Sequence, residues 1–357
     1  MMRVIAATHE HGARLLGLLE ENAMLGDIDL VMTRRPDYFS AQQHSCGIEH
    51  PVIALEGEHA IGMCQLTEHS GFANGQPCQL GYLGSLRVTR NYRHRIRVLQ
   101  AGFDYLRQLS LSGSSTTDYC YTSIAADNHT ARRLLERGLH GLPHYQPLGE
   151  MHTLVMNRKR GKRRELWRLI PPKEYPQFTD VYNRLAAQHQ LAPSLNAQWL
   201  TTEGLSVLGA YDAKGLHACA VLWDQQRFKQ VLAARYSSRI RRLRLLWNGY
   251  ATLTGKVPLP KMGQPLDQSF LAYFATNLSA NNCTDDDSEK IVALVEDALS
   301  LCTTQVMTLG LPATLPCMAK LVARTRPMVY RTCLYGVNLT NNPVWDKRTI
   351  WPEVALL

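Results

Sequence analysis

Residues 81–139 hold two successive strand-to-helix units, and that order constrains the fold more than any other feature of the chain. In the first, the strand-like GYLGSLRVT passes through a basic turn into the helix-like IRVLQAGFDYLRQL, where Ile96, Leu99, Phe103 and Leu106 share one face. In the second, DYCYTSI leads into ADNHTARRLLERGL. Asn128 suits an N-cap, because its side-chain oxygen can accept a bond from one of the helix's unpaired first amides. Ala131, Leu134 and Leu135 then lie together while Arg132, Arg133, Glu136 and Arg137 turn away, and Gly138 supplies a left-handed C-cap. Strand, helix, strand, helix predicts a mixed α/β sheet with helices on both faces.

The same logic extends in both directions. A strand over Arg3–Ala7, a helix over His9–Asn22 and a polar loop-helix stretch to Gln43 precede two antiparallel strands, PVIALEGEHAIGMCQL, that turn at Gly57 and Glu58. A last strand, EMHTLVMN, follows the second helix. The run RKRGKRR at 158–164 then concentrates like charge, which repels itself and reads as an exposed linker between two domains, 1–157 and 165–357. Beyond it a strand and helix (LWRLIPPKEYPQFTDVYNRLAAQ), three strands with a turn at Lys214-Gly215, a helix, a strand at 270–276, a helix after DDDSE, the strand QVMTLGL, a helix from Ala313 and the strand MVYRTCLYGVNL follow in similar order. RLLWNGY at 244–250 also echoes RVLQAGF at 97–103, and together these features imply an internal duplication.

A chain of 357 residues supports two domains on length alone. The longest apolar stretches are strand-sized and broken by charge, so no membrane span is expected, and MMRVIAATHEHGARLL meets His9 and Glu10 too early for a signal peptide. Nine cysteines stand singly, without a CxxC, and read as reduced thiols of a cytoplasmic protein. HEH at 9–11 lacks the spacing that puts two imidazoles on one helix face, so no metal is assigned. The net charge of +9 favours anionic ligands: nucleotide phosphates, an acyl-carrier protein or RNA.

Much of that charge sits in the run at 158–164, and further arginines surround the point where the strand at 81–89 opens its helix, a place where free amides and the helix dipole already attract anions. Arg90, Arg93, His94, Arg95 and Arg97 surround a turn suited to a pyrophosphate. LGSLRVTRNYRHRIRVL, followed about thirty residues later by NHTARRLLERGL, resembles the two cofactor motifs of the GNAT acyltransferase superfamily. Residues 1–157 resemble one such domain in element order and 165–340 a second, more degenerate copy. The resemblance implies tandem GNAT-like domains, each a mixed, mostly antiparallel sheet flanked by helices. It also implies an acyl-CoA substrate, acetyl-CoA first among them, bound where neighbouring parallel strands diverge. Backbone groups of Leu86, Arg87 and Val88 would hold the pantetheine arm, Arg93, His94, Arg95, Ile96 and Arg97 the pyrophosphate, and Asn128 would cap the helix forming one wall. A small-molecule or peptide amine would attack the thioester directly.

The chain departs from the family pattern at identifiable residues. Its turn reads RHRIR, without glycine, so arginine side chains would replace backbone amides as phosphate ligands. The tyrosine that often protonates the leaving thiolate falls on Leu134 or Leu135, and the acidic residue on the long strand falls near Gly84 or Ser85. Tyr82, Tyr121 and Tyr145 are the candidate substitutes as acids. Glu56 and Glu68 read as solvated, and Cys120 and Cys317 as core thiols. A binding protein without turnover, or a Fem-type transferase that takes its acyl group from charged tRNA, are the alternatives that the resemblance and the basic charge leave open.

Overall fold

A computed structural model describes residues 1–21, 23, 28–44, 47–278, 284–340 and 342–357. The first half runs β1 (Met2–Ala6), α1 (Gly12–Glu21), β2 (Ile28–Thr33), β3 (Ile48–Glu56), β4 (His59–Ala73), β5 (Gln76–Val88), α2 (Ile96–Leu111), β6 (Tyr119–Ala125), α3 (His129–Glu136) and β7 (His144–Asn157). The second runs β8 (Trp167–Leu169), α4 (Tyr175–Ala186), β9 (Leu205–Asp212), β10 (Gly215–Trp223), β11 (Gln230–Tyr236), α5 (Ser238–Thr254), β12 (Gln268–Thr276), α6 (Asp285–Leu301), β13 (Val306–Pro312), α7 (Met318–Thr325) and β14 (Met328–Asn338).

Twelve of these strands form one sheet in the order β1-β3-β4-β5-β6-β14-β7-β13-β12-β10-β9-β8. The order is the same read from either end once each first-half strand is matched to its second-half counterpart. Only the last strands break the pattern. β14 pairs antiparallel with β6 of the first half, β7 pairs antiparallel with β13 of the second, and β7 and β14 pair with each other at the centre. The halves have therefore exchanged their final strands, and neither sheet is complete without the other. α1 packs on one face over Ile53, Leu55 and Met63, and α4 over Val207, Val221 and Tyr273. α2 and α3, and in the second half α6 and α7, cover the opposite face.

Three expectations change. The stretch read as polar loop and helix contains β2, whose alternating burial is that of a half-buried strand. It pairs with β11 in a separate two-stranded sheet that bridges the halves. The echo between 97–103 and 244–250 does not mark equivalent helices: α5 follows β11 and packs on the small sheet, and α6 occupies the place of α2. The basic run is docked rather than solvated. Lys162 and Arg164 pair with Glu296, and Arg163 with Asp297, both carboxylates buried on α6. Self-repulsion is overcome because two buried carboxylates meet the cations one by one.

Candidate functional site

The parallel pair β5 and β6 is joined only at Leu80–Tyr82 and Tyr119–Tyr121. Past Tyr82, β5 keeps β4 on one side and has no β6 partner on the other, because β6 continues along β14 from Tyr121 to Ala125. A bulge lies within this separated stretch. Gln65 faces Gly84, Met63 already faces Arg87, and Ser85 between them has φ +54, a left-handed conformation that a residue with a Cβ seldom takes. Backbone strain of this kind concentrates at functional sites. Gly84 is needed beside it, since a Cβ there would lie 2.7 Å from the Tyr82 ring.

Side chains satisfy part of the exposed edge. Thr122 Oγ1 donates to the Leu83 carbonyl at 2.6 Å, the Tyr82 and Ser123 hydroxyls are 2.9 Å apart, and Arg93 Nε donates to the Val88 carbonyl at 3.4 Å. The Arg87 guanidinium donates to the Leu86 carbonyl, and its Nε is buried without a partner. Burial lowers its pKa, while the phenols of Tyr82, Tyr330 and Tyr38 favour its charge. At the mouth, Arg93, His94, Arg95 and Arg97 are exposed. Arg95 is the N-cap of α2 and gives no side-chain cap, so that end of the helix keeps its attraction for an anion. Ile96 packs inward against the core under α2. Across the gap, Asn128 Oδ1 accepts from the Ala131 amide at 3.2 Å and caps α3.

The second half repeats this geometry. β12 and β13 pair in parallel only at Gln268–Phe270 and Val306–Thr308, and β12 carries a bulge between Ala272 and Ala275 in which Tyr273 has φ +51. Tyr273 stands three residues past the last paired position, as Ser85 does. Here the gap is filled by the chain itself. Glu353 Oε2 accepts from the Tyr273 amide at 2.5 Å, Val354 lies over Gly310 of β13, and Trp351 Nε1 donates to the Gly310 carbonyl. Burial raises the Glu353 pKa to about 7.

The three tyrosines part company. Tyr82 and Tyr121 face each other where the gap opens, ring centroids 5.3 Å apart, and Tyr121 is fully buried. Tyr145 instead packs between Phe103 and Tyr335 in the core beneath α2, where burial raises its pKa. Glu68 is buried rather than solvated: its carboxylate takes bonds from the Ser115 and Thr117 hydroxyls. Glu56 is half-exposed, bonded to the Tyr92 hydroxyl and Arg95. Cys120 and Cys317 are buried, and burial pushes the Cys120 thiol up to about 12, far from a reactive thiolate.

A polar floor that no sequence motif marks lies on the face opposite α2. The Tyr38 hydroxyl donates to Gln65 Oε1 at 2.5 Å, Gln65 Nε2 donates to Thr67 at 2.9 Å, and His69 meets Tyr121 edge-on with centroids 6.2 Å apart. Gln65, Thr67 and His69 alternate along β4, so strand periodicity held the signal; buried polar residues there look like an ordinary solvent-facing row until the second half covers them.

No family model and no curated protein matches the chain. Solved structures do. Saccharomyces cerevisiae N-myristoyltransferase, crystallised with bound myristoyl-CoA, is similar at a TM-score of 0.63 and 10% identity over 94% of this chain and 78% of that one. A tandem GNAT protein from the clavulanic acid biosynthesis pathway is similar at 0.54 and 10% identity, over 96% of this chain and 100% of its own. A GCN5-related N-acetyltransferase from Anabaena variabilis gives 0.52 and 9% over 95% and 73%. The chain has the fold of the GNAT superfamily, built twice in tandem. Among the described residues, no helix is long and apolar enough to cross a membrane.

Proposed function

We propose that the chain is an acyl-CoA-dependent N-acyltransferase with one working cleft, the gap between β5 and β6. The observation that carries this reading is the matched pair of bulges. In the second half the Tyr273 amide already holds a carboxylate oxygen, so the equivalent Ser85 amide in the first half is the donor for a thioester carbonyl and for the negative charge that grows on it. Leu86, Arg87 and Val88 form the edge for the pantetheine arm, and Arg93, His94, Arg95 and Arg97 with the α2 N-terminus receive the pyrophosphate. The second gap, filled by Glu353 and its neighbours, takes no substrate. A small apolar pocket lined by Val52, Cys64, Val98, Leu99 and Phe103 lies beside Leu86–Val88. Tyr82, at the opening of the gap, is the candidate acid for the departing thiolate. Among the described residues Cys64, Cys78, Cys120, Cys219, Cys302 and Cys333 are free thiols, which suits a cytoplasmic setting.

Calorimetry with acetyl-, octanoyl- and myristoyl-CoA tests the reading. Binding with a one-to-one stoichiometry is expected, and Arg93→Glu lowers affinity by about tenfold or more, because a charge-assisted phosphate bond becomes a repulsion. If none of the three binds the folded protein, the proposal is wrong.

A further inference from the structure

Helix α5 turns an apolar ridge to solvent. Leu243, Leu246, Tyr250 and Leu253 follow one another at intervals of three, four and three residues, which sets them in a single stripe along the helix. Leu246 is 72% exposed and Leu253 88%, and Leu245, beside the stripe, is 76% exposed. The face that packs is a different and narrower one. Ala251 is buried, Ile240 and Trp247 lie against Ala233, Tyr236 and Leu259, and Arg244 and Asn248 bond to carbonyls of the loop after the helix. A single exposed leucine is ordinary, but a contiguous ridge marks a surface that is covered in use.

The charges around the ridge are all of one sign. α5 contains Arg239, Arg241, Arg242 and Arg244 and no acidic residue, and Lys256 follows it with Nζ 5.3 Å from the centroids of both the Trp247 and the Tyr250 rings. Arg239, Arg241 and Arg242 are exposed, and they make no ion pair among the described residues. Arg239 stands one turn before Leu243, and Arg242 one turn before Leu246, so cations border the ridge along its length. Their position is electrostatically unfavourable, because the first turns of a helix are its positive end, where acids stabilise and cations do not. α6 shows the favourable arrangement, with Asp285, Asp286 and Asp287 in its first turn. An anionic surface laid against α5 neutralises the arginines and covers the leucines in the same contact.

Going beyond the acyltransferase reading, we propose that α5 docks the protein on an anionic lipid bilayer. The helix lies in the plane of the interface, with Leu243, Leu246, Tyr250 and Leu253 among the acyl chains and Arg239, Arg241 and Arg242 at the headgroup phosphates. The long arginine stems let the guanidinium groups reach the phosphates while the ridge sits deeper. Shape and charge select this occupant. The leucines project from a convex helix, and hydrocarbon chains close around projecting side chains without needing a matched surface. A second copy of the chain would bring the same arginines face to face, so like charge opposes a dimer through this surface.

Co-sedimentation of the full-length protein with vesicles tests the proposal. Binding to mixed vesicles of phosphatidylglycerol and phosphatidylcholine, and not to phosphatidylcholine alone, is expected, and it weakens as salt screens the headgroups. The double variant Leu246→Gln, Leu253→Gln lowers the partition coefficient about thirtyfold, and Arg239→Gln and Arg242→Gln each lower it about fivefold. All four side chains are exposed, so the variants keep the circular dichroism spectrum and melting behaviour of the parent. Equal binding to neutral vesicles, binding that the leucine pair leaves unchanged, or a protein that stays in solution with both vesicles overturns the proposal. So does light scattering that finds a dimer which the leucine pair dissociates, since the ridge then meets a second copy of the chain.

Discussion

Replacing Asp297 by Asn tests how the two halves are tied. This carboxylate is 0% exposed and accepts four bonds from one passing segment: Arg163 Nη1 at 3.0 Å and the Arg164 amide at 2.7 Å on Oδ1, and the Leu166 and Trp167 amides at 2.7 and 3.2 Å on Oδ2. The segment carries the chain from β7, exchanged to the centre of the sheet, across α6 to β8 at the far edge. Asn turns one oxygen into an NH2 that faces two N–H donors, orphaning both, and removes the charge that pairs with Arg163. Each of the two orphaned buried donors costs about 1–3 kcal/mol, and the charge lost to the half-exposed Arg163 adds little, so a loss of about 4 kcal/mol is expected. At a urea dependence of about 3 kcal/mol per molar, the midpoint falls by about 1.3 M. Asp286→Asn, on the exposed turn of the same helix and paired only to Lys290, is the control and changes stability by about 0.5 kcal/mol or less. Burial raises the Asp297 pKa, but the bonds from Arg164, Trp167, Arg163 and Leu166 together hold it below the usual carboxylate range, so its contribution is complete at neutral pH and is lost as pH falls through the folded value. A midpoint for Asp297→Asn within about 0.3 M of the parent in urea titrations at pH 7 would refute the reasoning.

Two further outcomes follow from burial and topology. His69 and His189 are both held to about 4 by burial, below their unfolded value, so the native state loses stability as pH falls from about 6.5 toward 4, by about 1.4 kcal/mol per pH unit for each. Glu353, held up at about 7, opposes this by losing stability as pH rises through 7; denaturation at pH 5, 6 and 7 should show a shallower acid limb in His189→Gln, and an unchanged limb contradicts it. Residues 1–164 expressed alone leave β6 without β14 and β7 without β13, so light scattering should find no folded monomer until residues 165–357 are co-expressed; a stable monomeric first half would show that the exchange is not needed.

How much of this the sequence disclosed depends on the range of the interaction involved. The cap at Asn128, the turn at Gly57 and Glu58, and the faces of α2 and α3 are set within a few residues, and their patterns were readable. The opening between β5 and β6 was legible only through the resemblance, because where two parallel strands stop pairing is decided by a third strand, β14, about two hundred residues away. Glu68 was misjudged for the same reason. A glutamate near a strand end reads as solvated until Ser115 and Thr117, from the turn before β6, close over it. The basic run was misread because its partners, Glu296 and Asp297, sit in an amphipathic helix whose buried acids look like surface charge. His69 and Gln225 carried no signal of any kind, since the polar cavity they line between the halves exists only once both are assembled.

Duplication alone would give two equal clefts, and the asymmetry between them comes from one short segment. Residues 351–356 enter the second gap, put a carboxylate on the Tyr273 amide and pack Val354 where a substrate arm would run. The same residues then pass to the first half, where Ala355 and Leu356 line the polar cavity and the Ala355 carbonyl receives both Lys229 and Gln225. Closing one gap and building a wall of this cavity are thus a single structural act. The second half is accordingly more than a degenerate copy: it supplies β14, which holds β6 away from β5, and the loop that brings Lys229 and Gln225 opposite His69.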